Sequence, residues 1–478
     1  MKVLFIASEA HPFIKSGGLG DVMGALPQEL IDLDIDARVI LPKHKNIKNE
    51  YVQNMKFIKW FMVPVGWRNQ YCGLYEYKYN GVIYYFIDNE YYFGRDGLYG
   101  YGDDGERFAF FDRAVLVALK EIDWQPNILH CNDWQTGMIP ALLTLEYKHD
   151  LFYSSMKSFM TIHNLAFKGY YPPEILPEVF GYDLRAYENG SMDLDGSVSF
   201  LKSGLVYCDQ ITTVSETYSQ EIKSNFFGEG LQWVLNDRSC HLMGIVNGID
   251  YNEYSPENDS LIFNNYDIDN LEGKLKNKLE LQKELGLPQK EETPVIGLVS
   301  RLTHQKGCDL IINIIDRLLQ YDIQVVILGT GDYVYEENFK NLQMRYPDKV
   351  SSNILFDNKL AHKIYAGSDI FLMPSLFEPC GLGQLIALRY GSIPIIRETG
   401  GLKDTITPYN QYTGIGNGFG FRNFNANELM YITEYALEIY RDKKVWENIV
   451  KQAMTSDNSW KNSAKKYKEL YIGVNNRY

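Results

Sequence analysis

Twice along its length this chain repeats one arrangement: a short, almost wholly apolar run, a turn rich in glycine or charge, then a segment with apolar residues at helical spacing. The runs of the first half are VLFIAS (3–8), ARVILP (37–42), VIYYFID (82–88), NILHCND (127–133), SFMTIHN (158–164) and DQITTVS (209–215). After the hinge-like VNGIDYNEYSPEN (246–258) the pattern restarts with PVIGLVS (294–300), QVVILGTG (324–331), NILF (353–356), DIFLMPS (369–375) and IPIIRETGG (393–401). Helices are expected between them, at CDLIINIIDRLLQ (308–320) and LAHKIYAGS (360–368) among others. Strands apolar on both faces and separated by helices imply a parallel sheet covered on both sides, so the fold class is α/β with two doubly wound parallel-sheet domains. A chain of 478 residues is also too long for one ordinary core. The expected domains are 1–243 and 244–457, divided where Gly244 and Gly248 punctuate an apolar run, with 458–478 a C-terminal helix packing back on the first domain.

The formal net charge is −14, so the summed field repels nucleic acid and anionic membranes but not a neutral polymer. Six scattered cysteines form no CxxC pair and no zinc-like spacing, and read as reduced thiols. The opening apolar run is too short for a signal segment and is followed at once by Ser8, Glu9 and His11. No run of 18 apolar residues occurs. A cytoplasmic protein with no membrane and no nucleic-acid partner is expected.

Parallel sheets of this type bind ligands beyond the carboxyl ends of their strands, so the expected active site is a cleft between the domains, with chemical residues just after strands in both halves. KSGGLGDV (15–22) meets that demand: Gly17, Gly18 and Gly20 let backbone approach a ligand near a helix N-terminus, and Lys15 adds a positive charge. It is neither a GxxxxGK[ST] loop nor a GxGxxG fingerprint, and a tight turn with a solvated lysine is the plainer alternative. In GLVSRLTHQKG, Arg301 and Lys306 follow a strand; with Lys15 they would make a three-cation clamp for a diphosphate, or else be solvated loop charges. Glu378 follows DIFLMPS, and Cys380 and Gly381 are expected to open the helix GLGQLIALRYG. A carboxylate there suits sugar hydroxyls, the alternative being a structural glutamate near a helix cap. His163 and Asn164 end one strand of the first half, Asp133, Trp134 and Gln135 another, with Trp134 read as packing. Tyr99, in the loop GRDGLYGYGDD (94–104), is a candidate for stacking on a sugar or simply part of a surface loop.

In that order and at these separations, KSGGLGDV, TIHN, SRLTHQKG, FEPCG and TGGL resemble the bacterial glycogen synthase and plant starch synthase family, from Lys2 to about Trp460. The resemblance implies two Rossmann-like domains facing a deep cleft, the GT-B architecture, and a retaining transfer of glucose from ADP-glucose to the non-reducing end of an α-1,4-glucan or glycogen primer. It implies no metal and no cofactor. It assigns Lys15, Gly17 and the amides near Gly18 to the donor's diphosphate and glucose, and Asp21 to the loop or the nucleotide. Arg301 and Lys306 would neutralise the leaving diphosphate, His163 would lie against the donor glucose, and Glu378 would be the essential glutamate. Asn247, Asp133, Asn164 and Tyr99 complete the donor side with Cys380, Gly381, Leu382, Thr399 and Gly400, and Phe356 stands where an aromatic ring stacks on adenine.

Two positions depart from the family pattern. Gln135 replaces a frequent histidine, and Gly383 removes a polar side chain near the Glu378 helix. The alternatives are a UDP-glucose-dependent or other retaining glucosyltransferase of the same fold, and a non-catalytic glucan or nucleotide-sugar binding protein.

Overall fold

The computed structural model describes residues 1–476; Arg477 and Tyr478, the end of the expected C-terminal helix segment, lie outside the described residues. The chain divides into two compact units, Met1–Asn247 together with the segment from Trp460 onward, and Gly248–Ser459. Among the described residues no helix is long and apolar enough to cross a membrane.

The first unit contains β1 (Lys2–Ile6), β2 (Asp36–Pro42), β3 (Lys56–Val65), β4 (Arg68–Tyr79), β5 (Val82–Asp88), β6 (Ile128–Asn132) and β7 (Lys157–Ile162). A small antiparallel sheet of β8 (Tyr170–Tyr171), β9 (Asp193–Leu194) and β10 (Ser197–Ser199) precedes β11 (Gln210–Thr213) and β12 (Leu242–Gly244). The main sheet runs β12-β11-β7-β6-β1-β2-β5-β4-β3. It is parallel from β12 to β5, while β4 pairs antiparallel with β5 and β3 with β4. This antiparallel hairpin extends a sheet that the sequence suggested was wholly parallel.

The second unit holds β13 (Val295–Val299), β14 (Gln324–Leu328), β15 (Val350–Asn353), β16 (Ile370–Met373), β17 (Ile393–Arg397) and β18 (Phe419–Phe421), ordered β15-β14-β13-β16-β17-β18 and parallel throughout. Among the parallel strands of each sheet the order reverses once, between β1 and β6 and between β13 and β16. Loops leaving two such neighbours diverge and open a crevice. The turns after β1 and β6 carry KSGGLGDV and NDWQ, and those after β13 and β16 carry SRLTHQKG and PSLFEPCG.

Three boundaries differ from the sequence reading. The expected strand NILF overlaps β15 only at Asn353, because pairing with β14 ends where Gly329 donates its N–H to Asn353 O at 3.1 Å. The first unit extends past 243: β12 ends at Gly244 and Ile245 continues the ladder to Thr213 O at 2.8 Å. Gly244 there is a close-packing residue, since a Cβ would come within 2.2 Å of Ser215 O. The helix after Glu378 spans Gly383–Arg389, so Cys380 and Gly381 precede it, with Gly381 at φ +76° where a helix cannot continue.

The helix Trp460–Asn475 belongs to the first unit and lies against Gly18–Ile31, the helix that follows the glycine turn. Trp460, Ala464, Tyr467, Tyr471 and Val474 share one apolar cluster with Leu19, Met23 and Leu30. Ser463 Oγ donates to Val246 O at 2.5 Å, and the Tyr471 hydroxyl meets His130 Nδ1 at 2.6 Å. Because Trp460 is only 2% exposed, Trp460→Ala is expected to remove about 3–5 kcal/mol from the stability of the first unit. Urea unfolding measures it, and a loss below about 1 kcal/mol, the range of surface substitutions, would mean that the helix does not hold this face.

Candidate active site

In the first unit the glycine turn folds back on itself. A Cβ on Gly20 would lie 2.4 Å from Lys15 Cβ, so only glycine lets the first helical turn pass this close to the lysine. Lys15 Nζ bonds Asp21 Oδ1 at 2.8 Å, which ties the turn's cation to the helix that follows. The N–H groups of Gly17 and Gly20, which the sequence reading offers to a ligand, converge with that of Ser16 on the Glu9 carboxylate, at 3.2, 3.1 and 2.7 Å. Ser16 Oγ adds a bond at 2.6 Å. Burial pushes the Glu9 pKa up while these donors pull it back. Among the described residues the Gly18 and Leu19 amides have no acceptor. Tyr99 reaches the same place: its hydroxyl lies 2.7 Å from Ser8 Oγ and 3.4 Å from Glu9 Oε2, and its ring leans on Phe108.

Next to it, the turns after β6 and β7 are bonded to each other. Asp133 Oδ1 accepts the His163 N–H at 2.8 Å, and its carboxyl also accepts from the Asn164 amide. Asp133 has φ +56° and ψ −177°, a backbone region that costs a residue with a side chain about 1–3 kcal/mol. Burial raises its pKa to about 7, the amide bonds oppose that, and the Glu9 charge adds to it. The Asn132 amide donates to Ile6 O at 3.1 Å and His130 O at 3.0 Å, so its Oδ1 faces His163 and the His163 Nε2 donates to it at 2.9 Å. Burial holds the His163 pKa down at about 3. The ring is therefore neutral.

In the second unit the loops after β13 and β16 meet in an ion pair. Lys306 Nζ bonds Glu378 Oε2 at 2.6 Å, with Glu378 6% exposed, and Ser375 Oγ donates to the same oxygen at 3.1 Å. Among the described residues Glu378 Oε1 accepts no hydrogen bond. The Thr399–Gly400 turn packs directly behind: Gly401 N–H donates to Glu378 O at 3.1 Å. The Gln384 side chain donates to Cys380 O at 3.0 Å and Gly381 O at 2.9 Å, fixing the turn that Leu382 completes. Arg397, at the end of β17, donates to Ser375 O at 2.8 Å, to Leu376 O and to Arg422 O.

The structure thus gathers Lys15, Gly17, Gly18, Asp21 and Tyr99 around Glu9, joins Asp133 to His163 and Asn164, and joins Lys306 to Glu378 with Cys380, Gly381, Leu382, Thr399 and Gly400 around them. Arg301 is exposed after β13, and Phe356 is 86% exposed in the loop after β15. Asn247 ends the first unit with a buried Oδ1 that lacks a hydrogen-bond partner among the described residues, and Gln135 has a buried Oε1 in the same condition. Glu9 and Arg397 were not singled out in the sequence. Both follow or end an apolar strand, the position that marked Glu378.

Comparison with known proteins decides the family. The family model for the starch synthase catalytic domain matches residues 2–237, and that for glycosyl transferases group 1 matches 277–453. A glycogen synthase of Clostridium perfringens is 64% identical over 98% of this chain and 98% of its own, and one of Geobacillus thermodenitrificans is 52% identical over 98% and 97%. The chain belongs to the glycogen synthase and starch synthase family. The catalytic domain of starch synthase IV from Arabidopsis thaliana, bound to ADP and acarbose, superposes with a TM-score of 0.93 at 33% identity over 99% of both chains. A sucrose-phosphate synthase from Thermosynechococcus elongatus, at 14% identity and TM-score 0.63, shares the fold. The two doubly wound sheets are accordingly the two Rossmann-like domains of a GT-B glycosyltransferase.

A histidine whose pKa is lowered by folding contributes stability that is present above its ordinary value of about 6.5 and is lost as pH falls. For His163 that loss runs from this value toward about 3, so the ring nitrogens should show no titration between pH 8 and 5. Nitrogen-15 spectra of labelled imidazoles test this, and a His163 midpoint above 6 would remove the neutral donor.

Proposed function

We propose that this protein transfers glucose from ADP-glucose to the 4-hydroxyl at the non-reducing end of an α-1,4-glucan, with retention of configuration and release of ADP. The observation that carries the reading is the buried Lys306–Glu378 pair at the strand-order reversal of the second sheet, in a chain 64% identical to a glycogen synthase. The ADP and acarbose bound to the Arabidopsis relative support an adenine nucleotide and an α-glucan as ligands of the same fold.

The chemistry asks for two things. The bond from C1 to the diphosphate oxygen must break toward an oxocarbenium-like state, and the leaving diphosphate must be stabilised as it gains charge. Lys306 uses one N–H on Glu378 and retains others for phosphate oxygens, Arg301 supplies a two-pronged donor, and Lys15 a third cation. The Gly18 and Leu19 amides are the remaining donors of the glycine turn. No metal is required in this reading, because these groups meet the charge. Glu378 Oε2 is taken by Lys306 and Ser375, while Oε1 is open to sugar hydroxyls. Attack is assigned to the same face as departure, with the leaving phosphate oxygen accepting the acceptor's proton and no glucosyl-enzyme forming. The neutral His163 sits against the donor glucose, and Phe356 offers its exposed ring to the adenine.

Incubation with ADP-glucose or UDP-glucose, each with glycogen, and measurement of released nucleoside diphosphate tests the proposal. Faster release from ADP-glucose, undiminished by a metal chelator, is expected. Equal use of UDP-glucose would overturn the donor, and no release from either would overturn the reaction. Lys15→Ala is expected to raise the donor KM, and Glu378→Ala to lower kcat by a factor corresponding to about 3–4 kcal/mol, as for loss of an oxyanion donor. Equal and small effects from both would return these residues to structural roles.

A further inference from the structure

We propose that Glu9 is the positioning residue of the glycine turn, its carboxylate taking the N–H groups of Ser16, Gly17 and Gly20 so that Lys15 and the Gly18 and Leu19 amides are held ready for the donor's diphosphate. The inference rests on the reading above for the ligand but on geometry for the residue. Glu9 is 2% exposed, three residues beyond the end of β1, and both its oxygens are used: Oε2 by the Ser16 N–H at 2.7 Å and hydroxyl at 2.6 Å, Oε1 by the Gly17 and Gly20 N–H groups at 3.2 and 3.1 Å. Those amides flank Lys15 on one side and begin the helix on the other. A turn with this many unpaired donors has many conformations, whereas one carboxylate bonded to three of its amides leaves few. The division is also electrostatic. An anionic side chain already occupies the turn, so a substrate phosphate is met by Lys15 and the two remaining amides rather than by the whole ring of N–H groups.

Glutamine is the discriminating replacement, because it preserves volume but turns one oxygen into an NH2 group that faces N–H donors. In Glu9→Gln, peptides covering residues 14–20 should exchange amide hydrogens at least tenfold faster than in the unaltered protein. The donor KM should rise about tenfold, the change equivalent to about 1.4 kcal/mol for one charge-assisted bond, while the glucan KM stays within twofold. A group that merely supports the fold would instead lower the unfolding temperature and leave the donor KM alone. Unchanged exchange together with an unchanged donor KM would overturn the proposal. Should Glu9→Gln fail to fold, the unaltered protein still decides: rapid exchange at the amides of Ser16, Gly17 and Gly20, at the rate of an open loop, overturns it, and slow exchange supports it. Exchange is read without substrate, so a wrong donor assignment shows in the nucleotide release assay and a wrong role for Glu9 shows here.

Discussion

The parallel strands of each sheet reverse their order once, and that single topological constraint decides where a carboxylate can be both buried and useful. Around β1 and around β13 the following helices pass to opposite faces, and the turns that leave the strands diverge. A carboxylate placed there sits under the ends of the strands, largely out of water, and burying it unpaired costs several kcal/mol. The two units meet this cost differently. In the first, Glu9 is satisfied by backbone N–H groups of its own turn; in the second, Glu378 is satisfied by the Lys306 ammonium from the loop after the neighbouring strand. An amide nest restrains a loop, and an ion pair supplies charge. The first fixes geometry and the second leaves donors and an acceptor for chemistry.

Around Glu378 the supporting contacts are nearly all to backbone oxygens. Arg397 reaches the carbonyls of Ser375 and Leu376, Gln384 those of Cys380 and Gly381, and Gly401 that of Glu378. Such contacts fix the path of the chain rather than any one side chain, so the Ser375–Leu382 segment is held from three elements before a ligand arrives. Pre-set dipoles are what stabilise charge developing in a transition state without a reorganisation cost.

The parallel strands were legible because burial on both faces leaves them few polar positions: β1, β6 and β14 read as apolar runs apart from the exposed Lys2 that opens β1 and the buried His130, Asn132 and Gln324. The β3–β4 hairpin was not, because a register shift between Phe57 and Lys59 breaks its alternation and its outer face exposes Trp60, Met62 and Tyr71. The five family motifs revealed the residues of the candidate site, since each lies after a strand, but not their partners. Asp133 and His163 are thirty positions apart in sequence and meet only through the pairing of β6 with β7. Glu9 was legible by the rule that found Glu378, but the glycine spacing marks only the turn's amides and not the group that occupies them. GLGQLIALRYG has helical spacing from its first residue, and only the φ of Gly381 shows why the helix waits until Gly383.

The unusual backbone at Asp133 and its raised pKa have one origin. Turning the residue to positive φ brings its carboxyl under the amides of His163 and Asn164, and the same turn takes it out of water and toward Glu9. Burial then favours the neutral form of the group, while the amide bonds favour the ionised form. The bond from Asp133 also fixes the peptide plane at His163, and the bond from Nε2 to Asn132 fixes its ring. Backbone strain at one aspartate thereby orients the main chain of the histidine at the end of the neighbouring strand, while Asn132 orients its side chain. Because burial keeps that imidazole uncharged, what it offers a bound sugar is a directed neutral contact and not a positive charge competing with Lys15.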